Sequence, residues 1–234
     1  MGSKKRSATV SEVEDLSARL RRIRFSGAVL KGLKWTPGDK VKLRVNGKSR
    51  SYTPAAQDTR DGWMDVVVFL HGNGPASRWA AEAAVGQQVG LSKPDSSIKA
   101  PKKEPKWALF LGDETTLGLA KALLSTLPAS TRVLGAIELD AGDQCALNKL
   151  ALPLTPAIRQ DYYGDALINW LGRTQLPEGK GVVWIAGESV TVRTLKLMLA
   201  SRDLEKTTIK TKGYWKAKRR TVRPALSPER LAAK

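Results

Sequence analysis

The chain has 234 residues and a net charge of +18, with 40 Lys and Arg against 22 Asp and Glu, which indicates anionic partners, either nucleic acid or an anionic small molecule. With 41% hydrophobic residues, no apolar run of the roughly 20 residues that span a bilayer, and no apolar signal core at its start, it is predicted to be a soluble cytoplasmic protein. A single cysteine, Cys145, excludes an internal disulfide, and one cysteine with one histidine argues against a Cys/His metal centre.

The first part of the chain is predicted to consist of short strands joined by tight turns. Residues 1–13 are polar and predict a frayed arm. Alternating apolar residues predict strands at 16–25, with a bulge, and at 41–45, and a nearly continuous apolar run predicts a central strand at 63–70. Further strands are predicted at 49–53 and 86–92. Asn46-Gly47 is a strong hairpin signal between two of them. About five such strands predict a small closed antiparallel barrel, which we bound at residues 14–98.

Arg50, Tyr52 and Thr53 stand at the end of the strand that follows this hairpin. A strand places Arg50 and Tyr52 on one face and Thr53 on the other, unless the chain bends, and the steric demands of Pro54 favour a bend there. A cation, an aromatic ring and a hydroxyl can then converge on one flat, charged ligand.

A glycine-rich turn follows the next strand, with the sequence HGNGPAS at 71–77. It leads into a predicted helix in which Pro75 stands near the first helical position, where its missing N–H costs little. The free N–H groups of a helix start attract phosphate, and glycines let the backbone approach a ligand closely. The turn is therefore a candidate phosphate site.

The pattern changes after the Pro- and Lys-rich stretch KAPKKEPK at 99–106, which is predicted to be a linker. Strands are predicted at 107–111, 132–139, 181–186 and 207–214, and helices at 115–127, 165–176 and 190–201. This alternation predicts an α/β domain with a parallel sheet over 107–234. Polar turns follow two strands, at 112–115 and 187–189, where they serve as helix caps or as a ligand site beyond the strand ends.

The two early motifs together resemble the flavin-binding motifs of the siderophore-interacting proteins, a branch of the ferredoxin-reductase-like flavoproteins. The matching residues are Arg50, Tyr52, Thr53, His71, Gly72, Gly74, Pro75, Ala76, Ser77, Trp79 and Ala80. The stretches LFLGDETTLGLAKALL, VWIAGES and KGYWK resemble the same family, so the resemblance covers most of residues 15–216. It implies an N-terminal antiparallel β-barrel that binds flavin, followed by an α/β parallel-sheet domain that binds a nicotinamide nucleotide.

The resemblance also implies roles for individual residues. Arg50 would neutralise the phosphates of FAD, Tyr52 would pack on its ring system, and Thr53 would bond near the reactive ring nitrogen. The turn at 74–77 would hold the pyrophosphate, with His71 orienting nearby polar groups. The predicted cofactor-binding set is Arg50, Tyr52, Thr53, His71, Gly72, Gly74, Ala76, Ser77, Trp79, Asp113, Glu114, Thr115, Gly187 and Glu188.

The implied function is a cytoplasmic, monomeric reductase that passes electrons from NADH or NADPH through FAD to the Fe(III) of an anionic ferric siderophore, releasing Fe(II). Lys93 and Lys216 are the candidate substrate contacts. No protein proton carrier, resident metal, nucleic acid or membrane insertion is expected. Two alternatives stay open: a flavin reductase with another acceptor, such as ferric citrate or a quinone, and a redox-inactive protein that binds a siderophore or nucleic acid.

Three further features bear on this interpretation. The family's second arginine, two residues after the Arg-x-Tyr-Thr motif, is replaced here by Pro54-Ala55, so phosphate binding would rely more on Ser77 and Arg78. The basic tail at 216–234 lacks a long amphipathic helix, so a lid over the nicotinamide site would be missing or different. No GxGxxG is present, and Glu138 at a strand end either bonds a ribose hydroxyl, which would favour NADH, or is merely solvated.

Overall fold

The computed structural model describes residues 6–72, 74–202, 204 and 206–217. Its contacts divide the chain into two units, one formed by residues 1–100 with 117–126 and the other by 101–116 with 127–234. The sequence-based division placed 117–126 in the second domain, whereas that segment packs within the first unit. The predicted basic tail beyond residue 217 lies outside the described residues. No helix in the described ranges is long and apolar enough to cross a membrane.

The first unit contains one seven-stranded sheet in which every pairing is antiparallel. Its strands are β1 (Ser7–Ser17), β2 (Leu20–Ser26), β3 (Val41–Val45), β4 (Lys48–Tyr52), β5 (Ala56–Asp58), β6 (Trp63–Phe69) and β7 (Gln88–Leu91). The spatial order is β4-β3-β7-β1-β2-β6-β5. Helices α1 (Pro75–Ala81) and α2 (Leu117–Leu124) complete this unit.

This sheet confirms the predicted antiparallel class but differs from the prediction in detail. The arm predicted at 1–13 is wrong from Ser7 onward, because β1 begins there. Its acidic residues are the outward-facing partners of arginines on β2: Glu12 pairs with Arg24, and Glu14 with Arg22. Over the described residues the pairings end at β4 and β5, so the barrel is open rather than closed.

The second unit contains a parallel sheet of five strands, as the alternation of strands and helices predicts. They are β8 (Trp107–Asp113), β9 (Arg132–Leu139), β10 (Thr155–Ile158), β11 (Gly181–Glu188) and β12 (Thr207–Trp215). The helices are α3 (Cys145–Lys149), α4 (Asp165–Arg173) and α5 (Ser189–Ala200). The order β10-β9-β8-β11-β12 reverses the direction of winding between β8 and β11, and ligands bind beyond the carboxyl ends of strands at such a reversal.

Candidate functional site

Arg50 and Tyr52 lie on one face of β4, at the edge of the first unit's sheet. Arg50 stands opposite Leu43 and Tyr52 opposite Val41, and both of those apolar side chains are fully buried in the core. Arg50 is exposed, and its guanidinium donates to the Ser49 carbonyl at 2.9 Å. Burial raises the pKa of the Tyr52 phenol to about 12, so the phenol stays protonated and uncharged at neutral pH.

Thr53 follows β4 directly and is buried. Its carbonyl oxygen lies so close to Gly118 of α2 that a Cβ on that glycine would come within 2.5 Å of it. The backbone that leaves the Arg-x-Tyr-Thr motif is therefore fixed by a helix from a distant part of the sequence.

Helix α1 contacts β3, β4 and β6, so the glycine-rich turn comes beside the strand that carries Arg50. Arg21 of β2 holds the other end of this helix by donating to the carbonyls of Ala80 and Ala81 at 2.9 and 2.7 Å. A Cβ added at Gly72 or Gly74 would meet nothing within 4 Å, so the turn faces open space.

The side-chain hydroxyl of Ser77 is the most informative atom of the turn. Ser77 is 5% exposed, and its Oγ has no hydrogen-bond partner. A buried hydroxyl without a partner costs about 1–3 kcal/mol, so such groups point to a missing ligand or water. Together with the cation at Arg50 and the ring of Tyr52, this hydroxyl fits a planar ligand that carries phosphate.

The other predicted residues of this region have different surroundings. Trp79 is 8% exposed and stacks on Phe25 with ring centroids 6.2 Å apart, and Ala76 lies in the same core cluster. Both side chains hold α1 against the core of the first unit. His71 is exposed, with its ring 5.8 Å from that of Phe69.

In the second unit, Asp113 ends β8 and is buried. One carboxylate oxygen accepts from the Thr115 N–H and hydroxyl. The other accepts from the Glu188 N–H at 2.8 Å and the Trp215 indole N–H at 2.9 Å. Burial raises the pKa of Asp113, and these donors oppose the rise.

Gly187 and Glu188 complete this junction at the end of β11. A Cβ on Gly187 would lie 2.3 Å from the Asp113 carboxylate, and the φ of 122° also requires glycine there. Glu188 caps α5, because its carboxylate accepts from the N–H groups of Val190 and Thr191 at 2.7 and 2.8 Å. The turn is thus built by helix capping.

Arg159, which the sequence analysis did not identify, connects the remaining carboxylates of this edge. Its guanidinium forms a bidentate ion pair with Glu114, with N···O distances of 2.6 and 2.7 Å. It also donates to Glu138 at 3.2 Å and to Asp140 at 3.1 Å. It stacks on Tyr163 at 4.5 Å. Burial raises the pKa values of Glu114 and Glu138, and the Arg159 charge opposes both rises.

The idea that Glu138 is a solvated strand end is wrong. Glu138 is 1% exposed, and both its oxygens accept from the Gly164 N–H at 2.8 Å. The sequence could not show this, because the donor lies 26 residues further along the chain.

The structure thus brings the predicted residues of the second unit to one sheet edge, where internal partners occupy most of their polar groups. These residues are Asp113, Glu114, Thr115, Gly187 and Glu188. Lys93 and Lys216, the predicted substrate contacts, are both exposed, Lys93 in the first unit and Lys216 in the second. Over the described ranges, no group of three or more His, Cys, Asp or Glu residues could hold a metal ion.

Two family models match this chain. The siderophore-interacting FAD-binding domain matches residues 44–98, and the siderophore-interacting protein model matches residues 105–218. An NADPH-dependent ferric-chelate reductase of Escherichia coli is 23% identical over 192 residues, which are 80% of this chain and 71% of that protein. The ferric vibriobactin reductase ViuB of Vibrio cholerae is 25% identical over 177 residues, which are 71% of this chain and 64% of that protein.

A solved structure gives the same picture. The crystal structure of a siderophore utilization protein from T. fusca superimposes with a TM-score of 0.76 at 25% identity, covering 97% of this chain and 96% of that one. The match extends over both units of the chain. The residues matched by the FAD-binding family model, 44–98, include Arg50, Tyr52 and Ser77.

Proposed function

The chain belongs to the siderophore-interacting protein family, and from this premise we propose that it is a flavoprotein reductase of ferric siderophores. Electrons would pass from NADH or NADPH through FAD to siderophore-bound Fe(III), which would leave as Fe(II). The same proposal assigns FAD to residues 14–98 and the nicotinamide nucleotide to 107–234. It places the protein in the cytoplasm as a monomer.

The observation that carries the proposal is the unpartnered, buried Oγ of Ser77 on α1, a helix that contacts the strand bearing the exposed Arg50. A phosphate supplies acceptors for this hydroxyl and a negative charge for the guanidinium, and charge-assisted hydrogen bonds are about twice as strong as neutral ones. The open backbone at Gly72 and Gly74 leaves room for the phosphate to approach. The residues present therefore fit FAD.

The chain's own residues would bind and orient the cofactor. Arg50 and Ser77 would hold its phosphates, and the half-buried ring of Tyr52 would pack against its planar part. The fixed backbone at Thr53 would limit how far this planar part enters the site. When bound, FAD would supply the capacity to accept a hydride and to give electrons singly. No protein residue needs to carry the hydride.

The substrate class follows from charge and from the chemistry of iron. Siderophores hold iron with hard oxygen donors, which suit Fe(III) better than Fe(II), so reduction weakens the complex. Anionic ferric complexes would be attracted by a protein of net charge +18. Lys93 and Lys216 are exposed cations suited to such a substrate.

The test begins with the visible spectrum of the purified full chain, alone and after addition of FAD. We expect flavin absorbance that remains with the protein through gel filtration and is released as FAD on denaturation. The loaded protein is then given a ferric catecholate with NADH or NADPH, and Fe(II) is trapped by a coloured chelator, with flavin-free protein as the control. A protein that takes up no FAD would refute the proposal. FAD uptake without Fe(II) formation would leave a flavoprotein with another acceptor.

A further inference from the structure

Asp140 stands directly after β9, the second strand of the parallel sheet in chain order. It is the exposed member of the carboxylates around Arg159: its side chain is 44% exposed, whereas those of Glu114 and Glu138 are 1% and 2% exposed. Among the carboxylates that contact Arg159, Asp140 is therefore the one that a ligand from solution would meet first.

Arg159 is held away from such a ligand. Glu114 occupies two of its nitrogens, Glu138 lies at the third, and Asp140 adds a further contact at 3.1 Å. The guanidinium also stacks on Tyr163. One cation thus faces three carboxylates, and the exposed part of the group carries negative charge.

The position of Arg159 and its carboxylates in the sheet connects them with nucleotide binding. The strand order places β9 next to β8, the first strand, and the order reverses on the other side of β8. In sheets of this order that carry the Gly-rich dinucleotide fingerprint, an Asp or Glu about 20 residues further on bonds the ribose 2′-hydroxyl of NAD, whereas a nearby arginine accommodates the 2′-phosphate of NADP. This chain lacks the fingerprint but places the same two residue types beyond its strand ends. Here both residue types are present, and the carboxylate is the exposed one.

We propose that Asp140 is a specificity-determining residue that makes this protein prefer NADH over NADPH. Its carboxylate accepts a hydrogen bond from a ribose hydroxyl of NADH and repels the 2′-phosphate of NADPH, while the carboxylates on Arg159 prevent that arginine from compensating. The inference rests on the proposed function, because that function supplies the nicotinamide nucleotide.

The test compares two ligands that differ only in the 2′-phosphate. Adenosine 5′-monophosphate and adenosine 2′,5′-bisphosphate are titrated into the full chain by calorimetry, with wild type, Asp140→Asn, Asp140→Glu and Glu178→Ala. Glu178 is exposed just before β11, at the opposite edge of the same sheet, so its variant removes one charge without touching the group. The ratio of NADH to NADPH consumption by the FAD-loaded proteins is measured in parallel.

We expect wild type, Asp140→Glu and Glu178→Ala to bind the monophosphate at least about tenfold more tightly than the bisphosphate, because like charges in contact are costly. Asp140→Asn should reduce that ratio by about tenfold and shift the dinucleotide preference in the same direction. A wild-type preference for the bisphosphate, or an unchanged ratio in Asp140→Asn, would overturn the inference alone. If neither ligand binds and neither dinucleotide is consumed, the inference fails together with the proposed hydride donor, even where FAD is bound.

Discussion

The two units of this protein treat their polar groups in opposite ways. In the first unit, Ser77 keeps a buried hydroxyl without a partner, and Arg50 points a cation outward. In the second, Asp113 and Glu188 are equally buried, yet backbone and indole N–H groups bond them. An unpaired buried hydroxyl costs stability until a ligand or water completes it, whereas paired carboxylates stabilise the fold itself. The comparison thus separates a hydroxyl and a cation left open in the first unit from carboxylates whose bonds fix the strand ends of the second.

The largest effect should come from Gly187→Ala in the second unit. The new Cβ would collide with the Asp113 carboxylate, so we expect a loss of about 3 kcal/mol or more in the free energy of unfolding. Urea denaturation measures it. Gly172→Ala, on a helix with nothing within 4 Å of the added carbon, is the matched control and should change stability by less than about 1 kcal/mol. Equal effects of the two substitutions would contradict the idea that Asp113 fixes this edge.

Arg50→Ala should act on binding and leave folding intact. The proposed function assigns Arg50 a charge-assisted bond to phosphate, so the dissociation constant of FAD should rise by about 30- to 100-fold when that bond is lost. Flavin fluorescence quenching measures the constant. Arg44→Ala removes the same charge from the exposed side of neighbouring β3 and serves as the control. A comparable loss in both variants would reduce the role of Arg50 to general electrostatics.

Ser77→Ala and Thr191→Val should have contrasting effects: the first lowers FAD affinity and keeps the stability of the FAD-free protein, and the second lowers stability and keeps FAD affinity. The first removes an unsatisfied hydroxyl, so the FAD-free protein should be unchanged or slightly more stable, while FAD affinity falls about tenfold. The second removes a hydroxyl that donates to Glu188 at 3.1 Å, so stability should fall by about 1 kcal/mol while FAD affinity is retained. Thermal unfolding with and without FAD distinguishes them. Destabilisation of the FAD-free protein by Ser77→Ala would show that its hydroxyl is structural.

The smallest effect concerns Tyr52. Its pKa is raised by burial to about 12, whereas the unfolded phenol titrates near 10. Its contribution to stability is therefore fully present below about pH 10 and lost as pH rises toward 12, because the unfolded state releases the proton first. Tyr52→Phe should flatten this alkaline decline in urea-denaturation curves. An unchanged pH profile would mean that the phenol is not held in a buried site.

The sequence predicted those parts of the fold that depend on local patterns. Alternation located β3, and a continuous apolar run located β11. It missed β1 up to Asp15, because the outward glutamates there look like a charged arm until the arginines of β2 are known to face them. The single bulged strand predicted at 16–25 is wrong, since those residues form the end of β1, a tight turn and most of β2. The sequence also missed β10, whose four residues include a proline.

The candidate site divides in the same way. Arg50 and Tyr52 share a face, as strand geometry requires, and both could be read from the sequence. Arg159 could not, because it lies in a polar loop without periodicity, and its importance arises from carboxylates that are 45 and 21 residues distant along the chain. Local sequence patterns identify side chains that face a ligand. They do not identify ion pairs between residues that are distant along the chain.

The close approach of Gly118 to the Thr53 carbonyl has a consequence for how the protein is made. Helix α2 belongs to the first unit although it begins only after residue 116. When the first hundred residues have left the ribosome, the helix that contacts the end of the Arg-x-Tyr-Thr strand has therefore not yet been released. Closing that contact spans 65 residues, which slows folding relative to local pairing. A nascent chain stalled near residue 100 should therefore acquire its strands without capturing FAD, and cofactor loading should begin only after the first strand of the following sheet has been synthesised.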